Sequence, residues 1–370
     1  MKILQLVKYY YPSMGGMESV VKNLSEGLVN LDDNIKVTVY ANNHVRSIKS
    51  KSSSFSNLSI FKEKTFLFFK SQPLNFRYKL LKKLISESDI IHHHYPYPNI
   101  ELSLLIHKSL LANKKLIITW HANIENSRWF FFKKVYNFLI NRILKLADCI
   151  IITSPILLIQ SEILKKYKDK VIEIPLSYDQ SLCFNPLPKK FPLSRKFRIL
   201  FVGKLRKYKG LNFLIDAVRD LDIQLFIVGS GEEEIYLTKL VAKYNIQNKV
   251  NFAKNLSNLQ LQQYYVESDL FVLPSINEAE AFGVVQLEAM ANGIPVINTK
   301  LNSGVPFVSI DEYSGLTVEP SNSIQLKNAI LRILQDPILY EKFSLNALNR
   351  SSEFTTEKML INYLKVYKSI

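Results

Sequence analysis

Residues 278–297 read EAEAFGVVQLEAMANGIPVI, which sets Glu280 just before a predicted helix and Glu288 more than one turn inside it. An apolar strand is predicted immediately upstream, over Leu270–Leu273, and Gly283 opens the helix. A glycine lets the backbone approach a ligand closely, and the first N–H groups of a helix are free to bind an anion or hydroxyl groups. Single glutamates at such positions are more often capping or solvated residues, so this spacing alone is weak evidence for a ligand site.

Apolar strands alternate with amphipathic helices in both halves of the chain, which is the pattern of parallel α/β sheets. In the first half the predicted strands are Lys2–Val7, Lys36–Tyr40, Asp89–His93, Lys115–Thr119, Asp148–Ile152 and Val171–Ile174. In the second half they are Phe197–Val202, Ile223–Val228, Lys249–Phe252, Leu270–Leu273 and Pro295–Ile297. Ser47–Ser59 is rich in serine and lysine and lacks periodicity, which predicts a mobile loop. The predicted fold class is α/β, with two Rossmann-like domains.

The chain has 370 residues, more than one hydrophobic core usually supports, so two domains are expected. A Pro-rich segment that includes Pro186, Pro188 and Pro192 separates the two alternating patterns. We therefore predict an N-terminal domain over residues 1–185 and a C-terminal domain over residues 190–354. Because ligands of open α/β sheets bind beyond the carboxyl ends of the strands, we expect the site in a cleft between the domains.

Three loops that follow predicted strands are candidates for binding phosphate. Gly15-Gly16 opens a helix after the first strand, where free N–H groups meet the positive end of the helix dipole. Four cations within six residues, among them Lys204 and Lys209, follow the first strand of the second half. Their position at the carboxyl end of a strand favours phosphate binding over a merely solvated loop. A further turn at Gly229 is about equally typical of a plain strand-to-helix connection.

The histidines raise the question of a metal. His92-His93-His94 ends a predicted strand, but alternate strand residues point to opposite faces, and no carboxylate or cysteine supplements the triplet nearby. A metal is therefore the weaker interpretation, and no cofactor is expected. His121 follows Lys115–Thr119 at the carboxyl edge of the first predicted sheet, where it can face the expected cleft. A lone histidine there is often structural.

The Glu280–Glu288 segment, with Ser303-Gly304-Val305-Pro306 after it, resembles the E-x7-E region of family 4 retaining glycosyltransferases. These enzymes have the GT-B fold, in which two Rossmann-like domains face each other across an interdomain cleft. The resemblance implies that Glu288 hydrogen-bonds the ribose of a nucleotide. It implies that the donor sugar is contacted by Glu280, Ala281, Phe282 and Gly283.

The resemblance covers nearly the whole chain and assigns further donor-binding residues. Gly15 and Gly16 match the family's glycine loop beside the donor diphosphate, and Gly229 matches its next nucleotide-side loop. Lys204 stands where the family commonly has arginine, and Lys209 matches its lysine before a glycine. Lysine offers a point charge in place of a bidentate fork, so phosphate geometry at Lys204 is less tightly set.

The family's reaction centre and acceptor side also have counterparts. By resemblance, His121 is the strand-end histidine near the donor sugar, so His121 and Glu280 are the expected catalytic residues, and His94 is an acceptor contact. The helix over residues 355–370 is implied to pack back on the N-terminal domain. The implied reaction is retaining transfer of a hexosyl group, often mannosyl, from a GDP- or UDP-sugar. The implied acceptor is a glycan or polyprenyl-linked oligosaccharide of surface polysaccharide, such as lipopolysaccharide or capsule.

The net charge of +16 lies mostly in the first 190 residues, which hold 28 Lys/Arg against 14 Asp/Glu. Such asymmetry predicts an anionic partner, unless the lysines serve only for solubility. No apolar run approaches 18 residues, and Cys149 and Cys183 lack the spacing of a disulfide framework or metal knuckle. We therefore expect a cytoplasmic protein, peripheral at the anionic inner face of the cytoplasmic membrane.

Two other functions remain open on the sequence alone. A sugar-nucleotide epimerase or hydrolase would use the same fold with different chemistry. A basic nucleic-acid-binding protein would account for the charge, but recognised nucleic-acid motifs are lacking, so no nucleic acid is expected as a partner.

Overall fold

A computed structural model describes residues 1–11, 16–43, 51–69, 72–75, 78–123, 133–183, 186–192 and 194–370. It divides the chain into two compact units. The first unit comprises Met1–Leu176 and Thr356–Ile370, and the second comprises Ser177–Thr355. The chain thus leaves the first unit before the Pro-rich segment and returns to it for its last helix.

The strands are β1 (Lys2–Leu6), β2 (Lys36–Asn42), β3 (Lys51–Phe55), β4 (Leu58–Glu63), β5 (Leu67–Phe69), β6 (Gln72–Leu74), β7 (Ile90–Tyr95), β8 (Lys115–Trp120), β9 (Cys149–Ile152), β10 (Val171–Glu173), β11 (Phe197–Val202), β12 (Ile223–Val228), β13 (Val250–Ala253), β14 (Leu270–Val272), β15 (Val296–Thr299) and β16 (Gly315–Val318). The helices are α1 (Gly16–Leu31), α2 (Lys79–Glu87), α3 (Pro98–Ile106), α4 (Lys133–Leu146), α5 (Pro155–Gln160), α6 (Leu211–Val218), α7 (Glu234–Lys243), α8 (Asn258–Glu267), α9 (Val284–Ala291), α10 (Val305–Val308), α11 (Ser323–Gln335), α12 (Pro337–Ser351) and α13 (Thr356–Ser369). Short 3-10 turns, such as Lys207–Lys209, connect several of them.

The first unit is built on a sheet of eight strands in the order β10-β9-β8-β7-β1-β2-β4-β3. All neighbours are parallel except β3 and β4, which pair antiparallel. The central strands β7 and β9 are buried at every residue, as expected for a parallel sheet with both faces covered. The chain order of the strands reverses between β1 and β7, and ligands of such sheets bind beside a reversal of this kind.

The prediction of a mobile loop over Ser47–Ser59 is wrong for the part that the structure describes. Lys51–Phe55 and Leu58–Glu63 form a hairpin, and β4 also pairs in parallel with β2. The hydroxyls of Ser54 and Ser59 are 3.0 Å apart across the hairpin. A Ser-rich segment has little strand propensity of its own, so pairing with β2 determines its conformation. Residues 47–50 lie outside the described residues.

The second unit is a six-stranded parallel sheet in the order β13-β12-β11-β14-β15-β16. Counted within the unit this is the order 3-2-1-4-5-6 of a Rossmann fold, with its switch point between β11 and β14. The predicted strands Phe197–Val202 and Ile223–Val228 are confirmed residue for residue. The sequence did not indicate β16, which is four residues long and begins at Gly315.

The last helix, α13, packs within the first unit. A Cβ atom at Gly27 of α1 would lie 2.4 Å from Cδ1 of Leu360, so α1 and α13 are in close contact there. Tyr363 and Tyr367, on the same helix, are both buried. None of the described helices combines the length and the apolarity needed to cross a bilayer.

Candidate active site

Two loops of the second unit meet at its switch point. The loop after β11 ends at Gly210, whose φ of 65° is left-handed and whose Cβ, if present, would lie 2.1 Å from the carbonyl oxygen of Pro274. The loop after β14 contains Pro274, and Ile276 N–H donates to the carbonyl of Tyr208 at 2.8 Å. Gly210 is therefore required for the close approach of the two loops.

This approach brings Lys209 and Glu280 together, although they are 71 residues apart. Nζ of Lys209 donates to Oε2 of Glu280, and both residues are buried. Ser275 Oγ donates to the same carboxylate oxygen at 3.1 Å. Among the described residues Oε1 of Glu280 has no hydrogen-bond donor, so this oxygen is available to accept from a ligand hydroxyl.

Helix α9 starts beside this pair. Gly283 precedes it with φ 74°, and a Cβ there would lie 2.8 Å from Leu273, so a glycine is needed. The side chain of Phe282 is buried among Phe307 and Phe354, which leaves only its backbone to contact a ligand. The carbonyl of Ala281 already accepts from Gly304 N–H at 2.7 Å.

Glu288 lies inside α9, where its carboxylate accepts a hydrogen bond of 2.5 Å from the hydroxyl of Tyr265. Burial raises the pKa of Glu288 to about 7, although the Tyr265 hydrogen bond acts in the opposite direction. Tyr265 is held by helix α8, which begins with a capping box between Ser257 and Gln260. The ammonium of Lys189 donates to backbone carbonyls at the other end of α8.

The remaining predicted donor-binding residues of the second unit differ in exposure. Lys204 is exposed, so its ammonium can reach an anion in solvent. Gly229 packs against the β11 loop: a Cβ there would lie 1.9 Å from the carbonyl oxygen of Gly203. Gly229 is thus required by packing, whatever its part in binding.

In the first unit, the predicted glycine pair is only partly described. Gly15 lies outside the described residues. Gly16 is exposed at the first residue of α1, and nothing lies within 4 Å of the position its Cβ would take. A Cβ atom would fit here, so packing does not require a glycine at this position.

His121 follows β8 and is 7% exposed. Its Nε2 lies 3.0 Å from Nδ1 of His94, a residue on the neighbouring strand β7. Burial, with a contribution from His93, lowers the pKa of His121 to about 3. The imidazole is therefore neutral at physiological pH.

His94 is completely buried, and its second ring nitrogen, Nε2, lies 2.8 Å from Oε1 of Gln5. Both nitrogens are engaged inside the sheet, so the predicted direct contact of His94 with an acceptor does not agree with this geometry. The sequence could place His94 at a strand end but could not show that Gln5 and His121 would occupy both of its nitrogens.

His93 points to the opposite face of the sheet, where Nε2 lies 3.1 Å from Glu101. His92 and His94 share the other face, with ring centroids 4.4 Å apart. Among the described residues no group of three His, Cys, Asp or Glu side chains could hold a metal ion.

Two models of protein families match this chain, and together they span most of it. "Glycosyltransferase Family 4" matches residues 14–179 and "Glycosyl transferases group 1" matches residues 185–350. The O-antigen chain mannosyltransferase C of Escherichia coli is 27% identical, with 100% of this chain and 99% of the relative covered. The D-rhamnosyltransferase WbpZ of Pseudomonas aeruginosa is also 27% identical, over 96% of this chain and 92% of its own.

Solved structures share the fold. A sucrose-phosphate synthase of Thermosynechococcus elongatus has a TM-score of 0.76 at 23% identity, covering 99% of this chain and 98% of its own. HepE of Anabaena, crystallised with UDP, has a TM-score of 0.73 at 19% identity and is covered completely, as is this chain. With the two family models and the full-length relatives, these similarities show that the chain belongs to the family 4 glycosyltransferases, enzymes of the GT-B fold.

Proposed function

We propose that this glycosyltransferase moves a hexosyl group, with mannosyl as the first candidate, from a nucleoside-diphosphate sugar to a growing surface polysaccharide, with retention of the anomeric configuration. The names of two full-length relatives, an O-antigen mannosyltransferase and a D-rhamnosyltransferase, support the polysaccharide context. The buried Lys209–Glu280 pair at the switch point of the second sheet is the observation on which the donor site depends.

In this proposal the donor diphosphate takes its charge stabilisation from Lys209, the exposed Lys204 and the first N–H groups of α1, which begins at Gly16. Gly15, the other glycine of the predicted pair, is proposed to contribute its own N–H. Because Lys209 is buried with Glu280, it is already desolvated and positioned before a ligand arrives. The remaining lone pairs of the Glu280 carboxylate orient the sugar hydroxyls.

The nucleotide and sugar are held by groups near α9. Glu288 accepts from the ribose hydroxyls, and Tyr265 fixes the orientation of its carboxyl group. The backbone groups of Ala281, Phe282 and Gly283 line the sugar, since the Phe282 ring is buried. Gly229 keeps the adjacent loop close to the β11 loop.

The proposed transfer breaks the bond between the anomeric carbon and the diphosphate oxygen while an acceptor hydroxyl oxygen bonds to that carbon from the same face. The acceptor proton passes to an oxygen of the leaving diphosphate. The products are a glycoside and a nucleoside diphosphate, and the step needs neither a protein nucleophile nor an added oxidant or reductant. His121, neutral at physiological pH, serves as a hydrogen-bonding group toward the sugar.

The acceptor we propose is a polyprenyl-linked glycan, met at an anionic membrane surface to which the protein binds peripherally. The excess of 28 Lys/Arg over 14 Asp/Glu in the first 190 residues supports this partner. Helix α2 buries Leu81, Leu84 and Ile85 inside the first unit, so its contribution to such binding is limited to its exposed lysines. Flotation with anionic vesicles at two salt concentrations tests the attraction, and neutral vesicles are the control.

Donor choice is tested by thermal unfolding with a panel that includes GDP-mannose, GDP-D-rhamnose, UDP-glucose and UDP-N-acetylglucosamine. A true donor raises the midpoint by mass action. Transfer from that donor to a synthetic polyprenyl-linked acceptor is then followed, and proton NMR of the product reports the anomeric configuration. The donor proposal fails if no sugar nucleotide shifts the midpoint, and the retention proposal fails if the product has inverted configuration.

Variants connect this activity to the site. Lys209→Met and Glu280→Gln are expected to lower kcat/KM at least a hundredfold, since Lys209 stabilises the charge on the leaving diphosphate and Glu280 orients the sugar. Lys207→Met is the matched control, because Lys207 lies in the same 3-10 turn but is exposed. Transfer by both site variants at the rate of the control would remove the assigned roles.

A further inference from the structure

We infer that a single hydrogen-bonded chain, running from α13 through the first sheet, fixes His121 as the Nε2–H tautomer, with His94 as the positioning residue. The chain passes through buried side chains of β1, β7, β8 and α13. Its members, in order from the helix, are Tyr363, Thr119, His92, Tyr367, Gln5, His94 and His121. The inference rests on the proposed function only for its consequence, namely what His121 offers to the sugar.

Gln5 gives the chain its direction. Its amide nitrogen donates to the hydroxyl of Tyr367 at 3.1 Å, and its amide oxygen accepts from Nε2 of His94 at 2.8 Å. Nε2 of His94 must therefore carry a proton. A neutral imidazole has one N–H, so Nδ1 of His94 is an acceptor. Burial holds the pKa of His94 well below its usual value, which keeps the ring neutral.

The acceptor nitrogen of His94 determines which nitrogen of His121 carries the proton. Nδ1 of His94 lies 3.0 Å from Nε2 of His121, and an acceptor on one side requires the N–H on the other. Nε2 of His121 is then protonated and Nδ1 carries the lone pair. Among the described residues Nδ1 of His121 makes no hydrogen bond. His121 therefore presents an acceptor at the carboxyl end of β8.

The Gln5 amide also sets the direction of the other arm of the chain. The hydroxyl of Tyr367, which accepts from Gln5, donates to Nδ1 of His92 at 2.7 Å. His92 then donates through Nε2 to Thr119 at 2.7 Å, and Thr119 donates to Tyr363 at 3.2 Å. Every group between the two ends donates once and accepts once, so reversing the Gln5 amide would reverse all the protons together.

The consequence for the reaction is specific. An Nε2–H tautomer makes Nδ1 of His121 an acceptor for a hydroxyl of the bound sugar. Because the pKa of the ring is lowered to about 3, the ring carries no second proton at physiological pH and does not act as a general acid. His94 acts only through His121, and the last helix of the chain takes part through Tyr363 and Tyr367.

The test is nitrogen-15 NMR of the full-length protein labelled at histidine, in which the two ring nitrogens of each tautomer have distinct shifts. The chain has 6 histidines, and a His121→Gln variant assigns the resonances of interest. We expect a protonated Nε2 and an unprotonated Nδ1 for His121. A protonated Nδ1 for His121 would overturn the inference.

A pair of substitutions separates positioning from packing. In His94→Asn the amide oxygen can replace Nδ1 as the acceptor, so we expect the His121 tautomer and kcat to stay within about threefold of wild type. In His94→Leu the acceptor is lost, so we expect averaged His121 shifts and a kcat about tenfold lower with little change in acceptor KM. Equal kcat and equal His121 shifts in the two variants would overturn the positioning role.

A third variant is expected to preserve the donor and acceptor roles in the hydrogen bonds from His121 to His94 and from His94 to residue 5. Gln5→Glu can still accept from His94, so the His121 tautomer should persist, while Tyr367 turns to donate to the carboxylate and His92 changes its protonated nitrogen. Loss of the His121 tautomer in this variant would also contradict the inference. These NMR results do not depend on turnover, so a protein without transferase activity would disprove the proposed function while leaving the tautomer result intact.

Discussion

Lys209 and Glu280 form an ion pair in which the side chains are only 8% and 11% exposed. The pair joins the loop after β11 to the loop after β14, at the one place in the second sheet where the strand order reverses. Two charges withdrawn from water stabilise each other only while both are present. The pair therefore connects the stability of the second unit to the site that we propose for the donor.

Removing only the cation should be costly. In Lys209→Met the Glu280 carboxylate is left buried with Ser275 as its one remaining hydrogen-bond donor among the described side chains. We expect the free energy of unfolding to fall by about 3–5 kcal/mol. Thermal and urea unfolding followed by circular dichroism measure this change.

The double variant Lys209→Met/Glu280→Gln is the partner experiment. It removes both charges, so we expect it to recover at least half of the lost stability. The exposed Lys204→Met should change the free energy of unfolding by no more than about 0.5 kcal/mol. A double variant less stable than Lys209→Met would show that the two charges do not compensate each other.

Gly229 and Gly16 give a matched pair of glycine substitutions. In Gly229→Ala the new Cβ would lie 1.9 Å from the carbonyl oxygen of Gly203, and φ is 145°, so we expect a loss of about 3 kcal/mol. In Gly16→Ala the Cβ meets nothing within 4 Å, so we expect a change within about 0.5 kcal/mol. The midpoints of thermal unfolding of the two variants provide the comparison. Equal midpoints would show that the loop after β12 moves to accommodate the new methyl group at no cost in stability.

Glu288 should make the second unit less stable as pH rises. Burial raises its folded-state pKa to about 7 from an unfolded value near 4.5, so the folded protein holds a proton that the unfolded chain releases between these pH values. The free energy of unfolding therefore falls as pH rises through this window. Because Glu288 is half-buried, we expect a loss of about 1–2 kcal/mol.

The comparison that isolates this effect is between wild type and Glu288→Gln, which keeps an acceptor for the Tyr265 hydroxyl. Other titrating groups cancel in the difference. We expect the free energy of unfolding of the variant, measured in urea, to rise relative to that of wild type between pH 5 and pH 8. A difference that is constant over this range would show that Glu288 titrates with its ordinary pKa.

The sequence was sufficient wherever local pattern and topology agree. Phe197–Val202 is apolar except for Arg198, and its other residues are buried in a parallel sheet, so the apolar run predicts the strand. Lys209 and Glu280 could be assigned to one site because loops at the carboxyl ends of β11 and β14 converge in this fold. The hairpin over β3 and β4 could not be predicted, because its pairing with β2 outweighs its low strand propensity.

Other site residues depend on partners that are distant in the sequence. Tyr265 reads as an ordinary helix residue, and only the packing of α8 against the sheet brings it to Glu288. Gln5 reads as a polar residue in an apolar strand, and its partner Tyr367 is 362 residues away. A buried polar residue inside an otherwise apolar strand is the one signal that could have drawn attention to Gln5.

Acid should unfold the first unit through its buried histidines. Burial lowers the pKa of His92, His94 and His121, the last to about 3, so these rings stay neutral in the folded protein while the unfolded chain takes up protons below about pH 6.5. The unfolded state then binds more protons, so the free energy of unfolding falls as pH falls, by about 1.4 kcal/mol per pH unit for each histidine. Both tryptophans of the chain, Trp120 and Trp129, fall within the sequence range Met1–Leu176 of the first unit, so tryptophan fluorescence in urea is the signal chosen to follow that unit.

His121→Gln removes one of the three titrating rings at the end of the hydrogen-bonded chain. We expect the dependence of the free energy of unfolding on pH, measured between pH 6 and pH 4.5, to become less steep by up to about 1.4 kcal/mol per pH unit, the contribution of one ring. The opposite sign, with the first unit gaining stability as pH falls through this range, would mean that the three rings take up protons in the folded state. Since a charged imidazole cannot keep an acceptor nitrogen toward its neighbour, that result would also break the one-directional chain through Gln5.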